Sequence, residues 1–396
     1  MTDAAQVSDV LIFGGGIAGA SLAAMLAGRC KVTLLEAEDL PGRHATGRSA
    51  AMLLSSGEAP LVRLLVRESR GFFDAPPAGF SAAPLLRQRD ALYVAGPASA
   101  HLLHGMRAEE DVAAITRVLS VDDACRRVPI LRAEALSGAV LDESSADIDV
   151  DALLQGFLRM ARRGGVDVVT GCGFEGVVGR HDGCWHVLNR NGRFVAPLLV
   201  NAAGAWADEL ARRAGVAPVG LQPLRRTLIL VPGPEPAPGA PVEHWPSVNA
   251  LDDDFYFKPE TNQLMVSAGN EDPSLPTDAV PDELDVAVAA DRFEQATTLG
   301  VRRVIHRWAG LRTFAPDRLP VVGPAPGQPG FFWLAGQGGF GVQTAPALAT
   351  LPAAMILDDA VPDALATCVA AFAPARYASS RRSAGGVSAV EHCAGD

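Results

Sequence analysis

The sequence lacks the features that would place it in a membrane, on nucleic acid or among disulfide-linked secreted proteins. No apolar run reaches the length that spans a bilayer, and the amino terminus has neither the basic region nor the cleavage site of a signal peptide. A formal net charge of −11 disfavours binding to nucleic acid or to anionic lipid. The six cysteines form no C-x-x-C pair and the eight histidines show no metal-ligand spacing. We therefore expect a cytoplasmic protein with reduced thiols, no metal and no integral membrane association.

Length and composition indicate an ordinary globular protein. The chain has 396 residues, of which 48% are hydrophobic and 20% charged. Because this length exceeds the usual size of one hydrophobic core, we expect two domains, interleaved in sequence.

A glycine-rich turn lies between two apolar segments near the start of the chain. Residues 10–13 predict a buried strand, residues 14–19 read Gly-Gly-Gly-Ile-Ala-Gly, and residues 18–27 predict a helix. A second strand, residues 31–35, ends at Glu36. Strand, glycine turn, helix and acidic strand end together are typical of dinucleotide binding.

Each residue of this motif has a physical role in that interpretation. Gly14 allows the tight turn, Gly16 lets the backbone approach a pyrophosphate, and Gly19 lets the helix pack closely on the strand. The helix N-terminus presents free N–H groups to a phosphate, and Glu36 can accept hydrogen bonds from ribose hydroxyls. The sequence therefore predicts that the chain binds a dinucleotide.

A second glycine loop occurs in the C-terminal third. Residues 331–335 predict a strand, and residues 336–343 form a glycine loop that opens a helix from Thr344. Such a loop directs N–H groups towards negative charge. Other predicted elements are a strand at 166–170 after a helix at 151–163, a hairpin of 185–188 with 193–195, and a strand at 197–201 followed by a small-residue turn at 202–206.

These motifs together resemble the FAD-dependent D-amino acid oxidase superfamily, and within it they are most similar to the bacterial D-arginine dehydrogenases. The segments that carry the resemblance are residues 14–19, 44–51, 72–80, 146–153, 201–206, 221–226, 255–259 and 310–312, and the late glycine loop.

The resemblance implies an α/β fold, in which a Rossmann-type FAD-binding domain is interleaved with a β-rich substrate domain. The FAD-binding domain would comprise residues 1–83, 145–218 and 306–372, and the substrate domain residues 84–144 and 219–305. Residues 373–396 are expected to form a flexible tail.

The resemblance also implies non-covalent FAD in an extended pose, with residues 47–50 along the flavin. The residues implied to bind FAD are Gly14, Gly16, Ile17, Ala18, Gly19, Glu36, Ala37, Gly47, Arg48, Ser49, Ala50, Ala203, Gly204, Trp206, Gly310, Arg312, Gly338, Gly339, Phe340, Gly341, Val342 and Gln343.

For the substrate, the resemblance places Arg226, Tyr256 and Arg312 around a carboxylate, with Gln343 close to flavin and substrate. A guanidinium suits this role because it is always charged and binds a carboxylate through two hydrogen bonds. Arg225 could exchange roles with Arg226, since neighbouring strand positions point to opposite faces.

Three positions depart from the D-arginine dehydrogenase pattern. Ala91 stands where a guanidinium-binding glutamate is expected, and Met52 and Gly57 replace a histidine and a tyrosine. Asp90 is adjacent to Ala91, but a shift of one residue turns a strand side chain to the opposite face. We therefore expect a pocket without a buried anion for a guanidinium, and D-arginine is not expected to be the preferred substrate. Two alternatives remain open: Asp90 could reach the pocket through a strand bulge, or a carboxylate of residues 252–254 could fold over the site.

The resemblance implies oxidative deamination of a D-amino acid by hydride transfer to flavin N5, which gives an imino acid that hydrolyses to a 2-oxo acid and ammonia. The electron acceptor would be oxygen or a quinone, and a quinone would allow loose membrane association. An oxidase or dehydrogenase of N-methyl or cyclic secondary amino acids remains an alternative. A flavin hydroxylase and a non-catalytic flavin-binding redox subunit remain further ones.

Overall fold

The computed structural model describes residues 5–173, 177–234 and 241–377. Its strands are Gln6–Val7 (β1), Val10–Phe13 (β2), Val32–Leu35 (β3), Met52–Leu53 (β4), Leu86–Gln88 (β5), Ala91–Ala95 (β6), Thr116–Leu119 (β7), Gly138–Asp142 (β8), Ala146–Ile148 (β9), Asp167–Val169 (β10), Val177–His181 (β11), Cys184–Asn189 (β12), Gly192–Ala196 (β13), Leu198–Asn201 (β14), Gln222–Pro232 (β15), Ser247–Ala250 (β16), Tyr256–Glu260 (β17), Gln263–Ser267 (β18), Asp272–Pro273 (β19), His306–Phe314 (β20), Val321–Pro324 (β21), Phe331–Ala335 (β22) and Gln337–Gly338 (β23). Its α-helices are Ile17–Leu26 (α1), Pro60–Asp74 (α2), Ala100–Met106 (α3), Glu110–Ile115 (α4), Val121–Arg127 (α5), Val150–Arg163 (α6), Ala207–Arg213 (α7), Glu283–Ala296 (α8), Gly341–Leu357 (α9) and Ala366–Phe372 (α10).

A six-stranded sheet in the order β10-β3-β2-β14-β22-β21 forms the first layer. Its strands are parallel from β10 to β22, and only β21 is antiparallel to its neighbour. The central strands β2, β3 and β22 are buried along their whole length, as apolar strands covered on both faces should be. Helices α1, α2, α6 and α9 pack together beside this sheet. The predicted α/β class with a Rossmann-type sheet is confirmed.

A larger sheet of ten strands holds the segments expected to form the substrate domain. Its order is β23-β20-β15-β18-β17-β16-β6-β8-β7, and β19 pairs with β15. Strands β6 to β8 come from residues 84–144 and β15 to β19 from residues 219–305, so these two distant segments share one sheet.

Strand β20 also belongs to the large sheet, although it follows the boundary predicted at residue 305. It pairs with β15 along nine residue pairs, from Gln222 with Phe314 to Leu230 with His306. The rest of the segment 306–372 lies with the six-stranded sheet, through β21, β22 and α9. The domain boundaries therefore stay a prediction, and both β20 and its partner β23 belong to the ten-stranded sheet.

The smaller elements follow the local patterns. Strands β12 and β13 form the predicted hairpin, within a four-stranded sheet of the order β1-β13-β12-β11. Strands β4, β9 and β5 form a three-stranded sheet.

The described chain extends beyond the boundary predicted at residue 372. Pro374–Tyr377 forms a 3₁₀ turn in which Arg376 Nε donates to Asp317 at 2.7 Å. The remainder of the predicted tail, 378–396, and residues 235–240 of the Pro/Gly-rich loop lie outside the described residues. In the part of the chain that the structure describes, no helix has the length and apolar character needed to cross a membrane.

Candidate functional site

The cofactor motifs come together because they follow adjacent parallel strands. Strands β3, β2, β14 and β22 are neighbours, and they are followed directly by Glu36, Gly14, Ala202 and Gly336. The carboxyl ends of parallel strands lie at one edge of a sheet, which is where ligands bind in open α/β sheets.

A cavity of about 360 Å³ opens at this edge. Among the residues predicted to bind FAD, those that line the cavity are Gly14, Gly16, Ile17, Ala18, Glu36, Ala37, Arg48, Ser49, Ala50, Ala203, Gly204, Trp206, Gly310, Arg312, Gly338, Gly339, Gly341 and Val342. The predicted residues outside the lining are Gly19, Gly47, Phe340 and Gln343.

The glycine turn has the geometry that its sequence predicts. Gly14 has φ of +107°, and a Cβ there would lie 2.3 Å from the carbonyl oxygen of Ala202. A Cβ at Gly19 would lie 1.9 Å from the carbonyl oxygen of Gly14, so helix α1 contacts the turn closely. The N–H of Ile17, in the first turn of α1, donates to Thr46 Oγ1 at 3.0 Å. Because the glycines of this turn have no side chains, the backbone is accessible at the start of helix α1. This arrangement fits a dinucleotide phosphate.

Glu36 is buried beside the turn and is 8% exposed. Its Oε2 accepts from the N–H of Gly15 at 2.7 Å, and its Oε1 accepts from the N–H of Glu38 at 2.8 Å. Burial raises the pKa of this carboxyl above its usual value. Each oxygen keeps a second lone pair with which it can accept from ribose hydroxyls, so the predicted role fits the site.

Arg48 connects the segment 47–50 to the ten-stranded sheet and the loop before α8 through hydrogen bonds and an ion pair. Its Nη1 donates to the carbonyl oxygens of Ala279 at 2.7 Å and Ala309 at 2.9 Å, and its guanidinium pairs with Asp278. A Cβ at Gly310 would lie 3.3 Å from Arg48 Cβ, so a small residue is needed where β20 passes this segment.

The two predicted carboxylate-binding arginines and Tyr256 line the same cavity as the cofactor motifs, and the part that these three residues line is termed the pocket. Arg312 Nη2 lies 3.4 Å from Tyr256 Oη, and the Arg226 guanidinium carbon lies 5.8 Å from the centre of the Tyr256 ring. Arg226 is 7% exposed, and burial together with Arg312 holds its pKa below the usual value. Burial raises the pKa of Tyr256, but the charges of Arg312 and Arg226 outweigh this effect and leave it lowered.

Arg225 takes no part in this pocket. Its Nε donates to Asp285 Oδ2 at 2.9 Å. Arg226 instead donates from Nε to the carbonyl oxygen of Asn270 at 2.7 Å, and its Nη2 lies 3.3 Å from Glu271. Of the two adjacent arginines, Arg226 is therefore the one that lines the pocket.

Gln343 is buried in the first turn of α9 and joins the pocket to the loop 54–59. Its Oε1 accepts from the N–H of Leu54 at 2.8 Å, and its Nε2 donates to Glu58 Oε1 at 3.3 Å. Burial raises the pKa of Glu58 to about 7, although Arg312 acts in the opposite direction. Sequence reasoning missed Glu58, and its only signal is an acidic residue just before Pro60 at the start of a helix.

The expectation of a pocket without a buried anion stays a prediction, because Glu58 is only half-buried, Asp253 is exposed, and neither lines the cavity. Besides Glu58, Asp253 lies within electrostatic range of Arg226 and Arg312, and partial desolvation raises its pKa. Asp253 belongs to the loop between β16 and β17, within the segment 252–254 that the sequence offers as a possible source of such a carboxylate.

Residues 90 and 91 themselves behave as the strand pattern predicts. Ala91 is buried in an apolar cluster against Leu54 and Leu251. Asp90 lies 3.5 Å from Arg127, away from the two pocket arginines. The two carboxylates within electrostatic range of Arg312, Glu58 and Asp253, therefore lie on loops and not on strand β6.

His44, Trp206 and the remaining predicted residues make structural contacts. His44 Nε2 lies 2.9 Å from Glu38 Oε1, and its ring lies 4.7 Å from that of Trp206. The N–H of Gly47 donates to the carbonyl oxygen of Gly42 at 2.8 Å. Phe340 packs edge-on against Phe314, with ring centres 6.0 Å apart. No cluster of histidine, cysteine and acidic side chains suited to a metal occurs within residues 5–173, 177–234 and 241–377.

Comparison with known proteins identifies a matching family and several relatives that are similar over most or part of the chain. The family described as "DAO: FAD dependent oxidoreductase" matches residues 9–355. The hydrogen cyanide synthase subunit HcnC of Pseudomonas aeruginosa is 25% identical, over 92% of this chain and 95% of its own. Glycine oxidase of Geobacillus kaustophilus is 25% identical over 88% of this chain and 92% of its own. Its crystal structure superposes with a TM-score of 0.79 and 23% identity, covering 94% of this chain and 99% of that one. Mouse mitochondrial sarcosine dehydrogenase is 25% identical over 55% of this chain and 25% of its own.

Proposed function

Because this chain belongs to the FAD-dependent oxidoreductase family, we propose that it oxidises the carbon–nitrogen bond of a free amino acid, with D-amino acids as the substrate class. The observation that carries the proposal is that Arg226, Arg312 and Tyr256 line the same cavity as the cofactor motifs. Two guanidiniums that line one cavity can bind an anion there through charge-assisted hydrogen bonds. The names of the relatives, among them glycine oxidase and sarcosine dehydrogenase, support an amino acid as the source of that anion.

In the proposed reaction the protein's own residues position the substrate. A guanidinium and the Tyr256 hydroxyl donate to the carboxylate, which fixes the α-carbon relative to the cofactor cavity. When bound, FAD accepts the hydrogen of the Cα–H bond together with its two electrons. The lone pair of the neutral amine forms the C=N bond of an iminium product, and water converts this product to a 2-oxo acid and ammonium.

The second glycine loop supports the cofactor's role. Gly338, Gly339 and Gly341 line the cavity at the N-terminus of the 17-residue helix α9. Their backbone N–H groups and the positive end of the helix would stabilise negative charge on the reduced cofactor.

Secondary amino acids are the second candidate substrates, because the same carboxylate contacts serve an N-methyl or cyclic amine and a relative is named for sarcosine. An anaerobic screen of D-, L- and N-methyl amino acids, read by loss of the flavin absorbance near 450 nm, separates the candidates. We expect bleaching by D-amino acids. Bleaching by N-methyl amino acids alone would favour the second candidate, and bleaching by none would favour a non-catalytic flavin-binding subunit.

D-Arginine tests the substrate pocket more closely. We expect D-methionine and D-leucine to match or exceed D-arginine in kcat/KM at one pH, because Glu58 and Asp253 already face protein guanidiniums and Ala91 lies among apolar side chains. A clear preference for D-arginine that is lost in Asp253→Asn would contradict this expectation. Asp90→Asn is the matched control, since Asp90 lies beside Arg127.

A further inference from the structure

The guanidinium of Arg226 is held by two consecutive residues of one loop. Its Nε donates to the carbonyl oxygen of Asn270 at 2.7 Å, and its Nη2 donates to Oε1 of Glu271 at 3.3 Å. Both residues lie in the loop between β18 and β19, whereas Arg226 itself lines the cavity. Because two nitrogen atoms of a planar group are held by one loop, the orientation of that group relative to the cavity is fixed.

Asn270 attaches this loop to strand β15 on both sides of Arg226. Its Oδ1 accepts from the N–H of Thr227 at 3.0 Å, and its Nδ2 donates to the carbonyl oxygen of Arg225 at 3.2 Å. Strand β19, which follows the loop directly, also pairs with β15. The backbone of Glu271 is therefore held next to the residue that its side chain contacts.

Oε1 of Glu271 is shared between two arginines at unequal distances. It accepts from Arg318 Nη2 at 2.9 Å, which is within the usual range of a charge-assisted hydrogen bond, but it lies 3.3 Å from Arg226 Nη2. The side chain of Glu271 is 31% exposed and that of Arg226 only 8%. The glutamate is therefore bound more closely to the outer arginine than to the one that lines the cavity.

Arg318 has a backbone conformation that glycine adopts more easily. Its φ is +61°, and its N–H donates to the carbonyl oxygen of Ala315 at 2.8 Å in the turn after β20. Its guanidinium carbon lies 3.8 Å from the centre of the Phe314 ring, an arrangement that attracts a cation. The turn and the ring together place a positive charge beside Glu271.

Glu271 carries the same chemical group as the carboxylate of an amino acid, so the two compete for Arg226. A glutamate that turned fully towards Arg226 would occupy donors that a ligand needs. Without any glutamate, Nη2 would lose one of the contacts that orient the guanidinium. The hydrogen bond to Arg318 holds Glu271 between these two extremes.

We propose that Glu271 is a positioning residue that orients the Arg226 guanidinium for the carboxylate of the substrate, and that Arg318 restrains Glu271 from taking the place of that carboxylate. The inference rests on the proposed function only in assigning a carboxylate ligand to Arg226. Neither Glu271 nor Arg318 lines the cavity, and both act through Arg226.

Butyrate, a carboxylate without an oxidisable amine, tests the restraint by equilibrium dialysis of the FAD-loaded protein with the radiolabelled compound. In Arg318→Gly, which suits the backbone at this position, Kd should be about tenfold weaker because Glu271 is free to compete. In Glu271→Gln, Kd should be equal or tighter, since an amide competes less for a guanidinium. In the double variant, Kd should match that of Glu271→Gln, because Arg318 acts through Glu271.

Comparison of Glu271→Ala with Glu271→Gln tests the orientation. Glutamine keeps an oxygen that accepts from Arg226, whereas alanine does not. The alanine variant should therefore bind butyrate about threefold more weakly than the glutamine variant, or weaker still. Its limiting rate of anaerobic flavin reduction by an amino acid should be lower by about tenfold.

Glu143→Gln is the matched control. Glu143 is exposed, and its Oε1 also lies near two arginines, at 3.1 Å from Arg117 Nη2 and 3.6 Å from Arg127 Nη2. This variant should bind butyrate as the unmodified protein does. FAD content and melting temperature, measured for every variant, identify any loss that comes from folding.

The proposal is overturned if butyrate fails to bind, if Arg318→Gly leaves Kd unchanged, or if Glu271→Ala binds butyrate as tightly as Glu271→Gln. It is also overturned if Arg318→Gly weakens binding equally in the Glu271→Gln background, because Arg318 would then act through its own charge. If no amino acid reduces the flavin while the butyrate constants follow the expected order, the proposed function fails and this inference stands.

Discussion

At the scale of single residues, the pocket is governed by the distribution of buried charge. Arg312 lies close enough to Arg226 to disfavour the charge of Arg226, and Tyr256 contacts both guanidiniums. A bound carboxylate relieves this repulsion, so binding it is worth more here than on a solvated surface.

Replacing Arg312 by methionine tests this account. We expect kcat/KM for an amino acid to fall by about two to four orders of magnitude, the scale for losing a buried charged contact, with FAD content nearly unchanged. Arg307→Met is the matched control on the same strand, because Arg307 is exposed and pairs with Glu283. Near-normal kcat/KM in Arg312→Met would show that the pocket is wrongly placed.

Residue roles could be predicted where a residue stands in a motif. From strand alternation alone, either Arg225 or Arg226 could bind the carboxylate. The structure distinguishes them because Arg225 donates to Asp285. Glu58 could not be predicted, because the path of its loop depends on contacts made far away in the sequence, whereas the segment 252–254 was recognisable as a possible source of a carboxylate.

At the scale of secondary-structure elements, the first strand, turn and helix agree with the sequence prediction to within one residue at each boundary. The reason is that each requirement is local. Strands β7 and β8 and the membership of β20 in the large sheet were missed, since they depend on pairing with segments distant in sequence.

Two helical glycines give a contrasting prediction. Gly19→Ala should destabilise the protein by more than about 3 kcal/mol or abolish FAD binding, because the added Cβ would lie 1.9 Å from a backbone oxygen. Gly71→Ala, in α2, has no heavy atom within 4 Å of the new Cβ and should stabilise by about 0.5–1 kcal/mol. Thermal unfolding and the flavin-to-protein absorbance ratio report both. Equal behaviour of the two variants would contradict the close helix–turn contact.

At the scale of the whole molecule, the cofactor cavity lies where both sheets contribute. Strand ends of the six-stranded sheet supply one wall, and β20 of the ten-stranded sheet supplies Gly310 and Arg312. Filling the cavity therefore joins the two sheets through contacts that the empty protein lacks.

We expect the purified protein to be yellow, and heat or acid should release its FAD, because no cysteine occurs in the late glycine loop. Free FAD at 100 times Kd should stabilise the folded protein by about 2.7 kcal/mol, which a thermal melt of apoprotein against reconstituted protein measures. Flavin that stays on the denatured chain, or a melting temperature that does not change with added FAD, would contradict this prediction.

The separation between strand ends and loops has a consequence for how such a protein diversifies. The residues predicted to hold the cofactor mostly follow strands of the six-stranded sheet, whereas Glu58 and Asp253 lie on loops outside it. We therefore expect substitutions at 58 or 253 to change the charge near Arg312, and with it the choice of substrate, without altering the turns predicted to hold the cofactor. A library restricted to these loop positions is the natural starting point for directed evolution towards new amines.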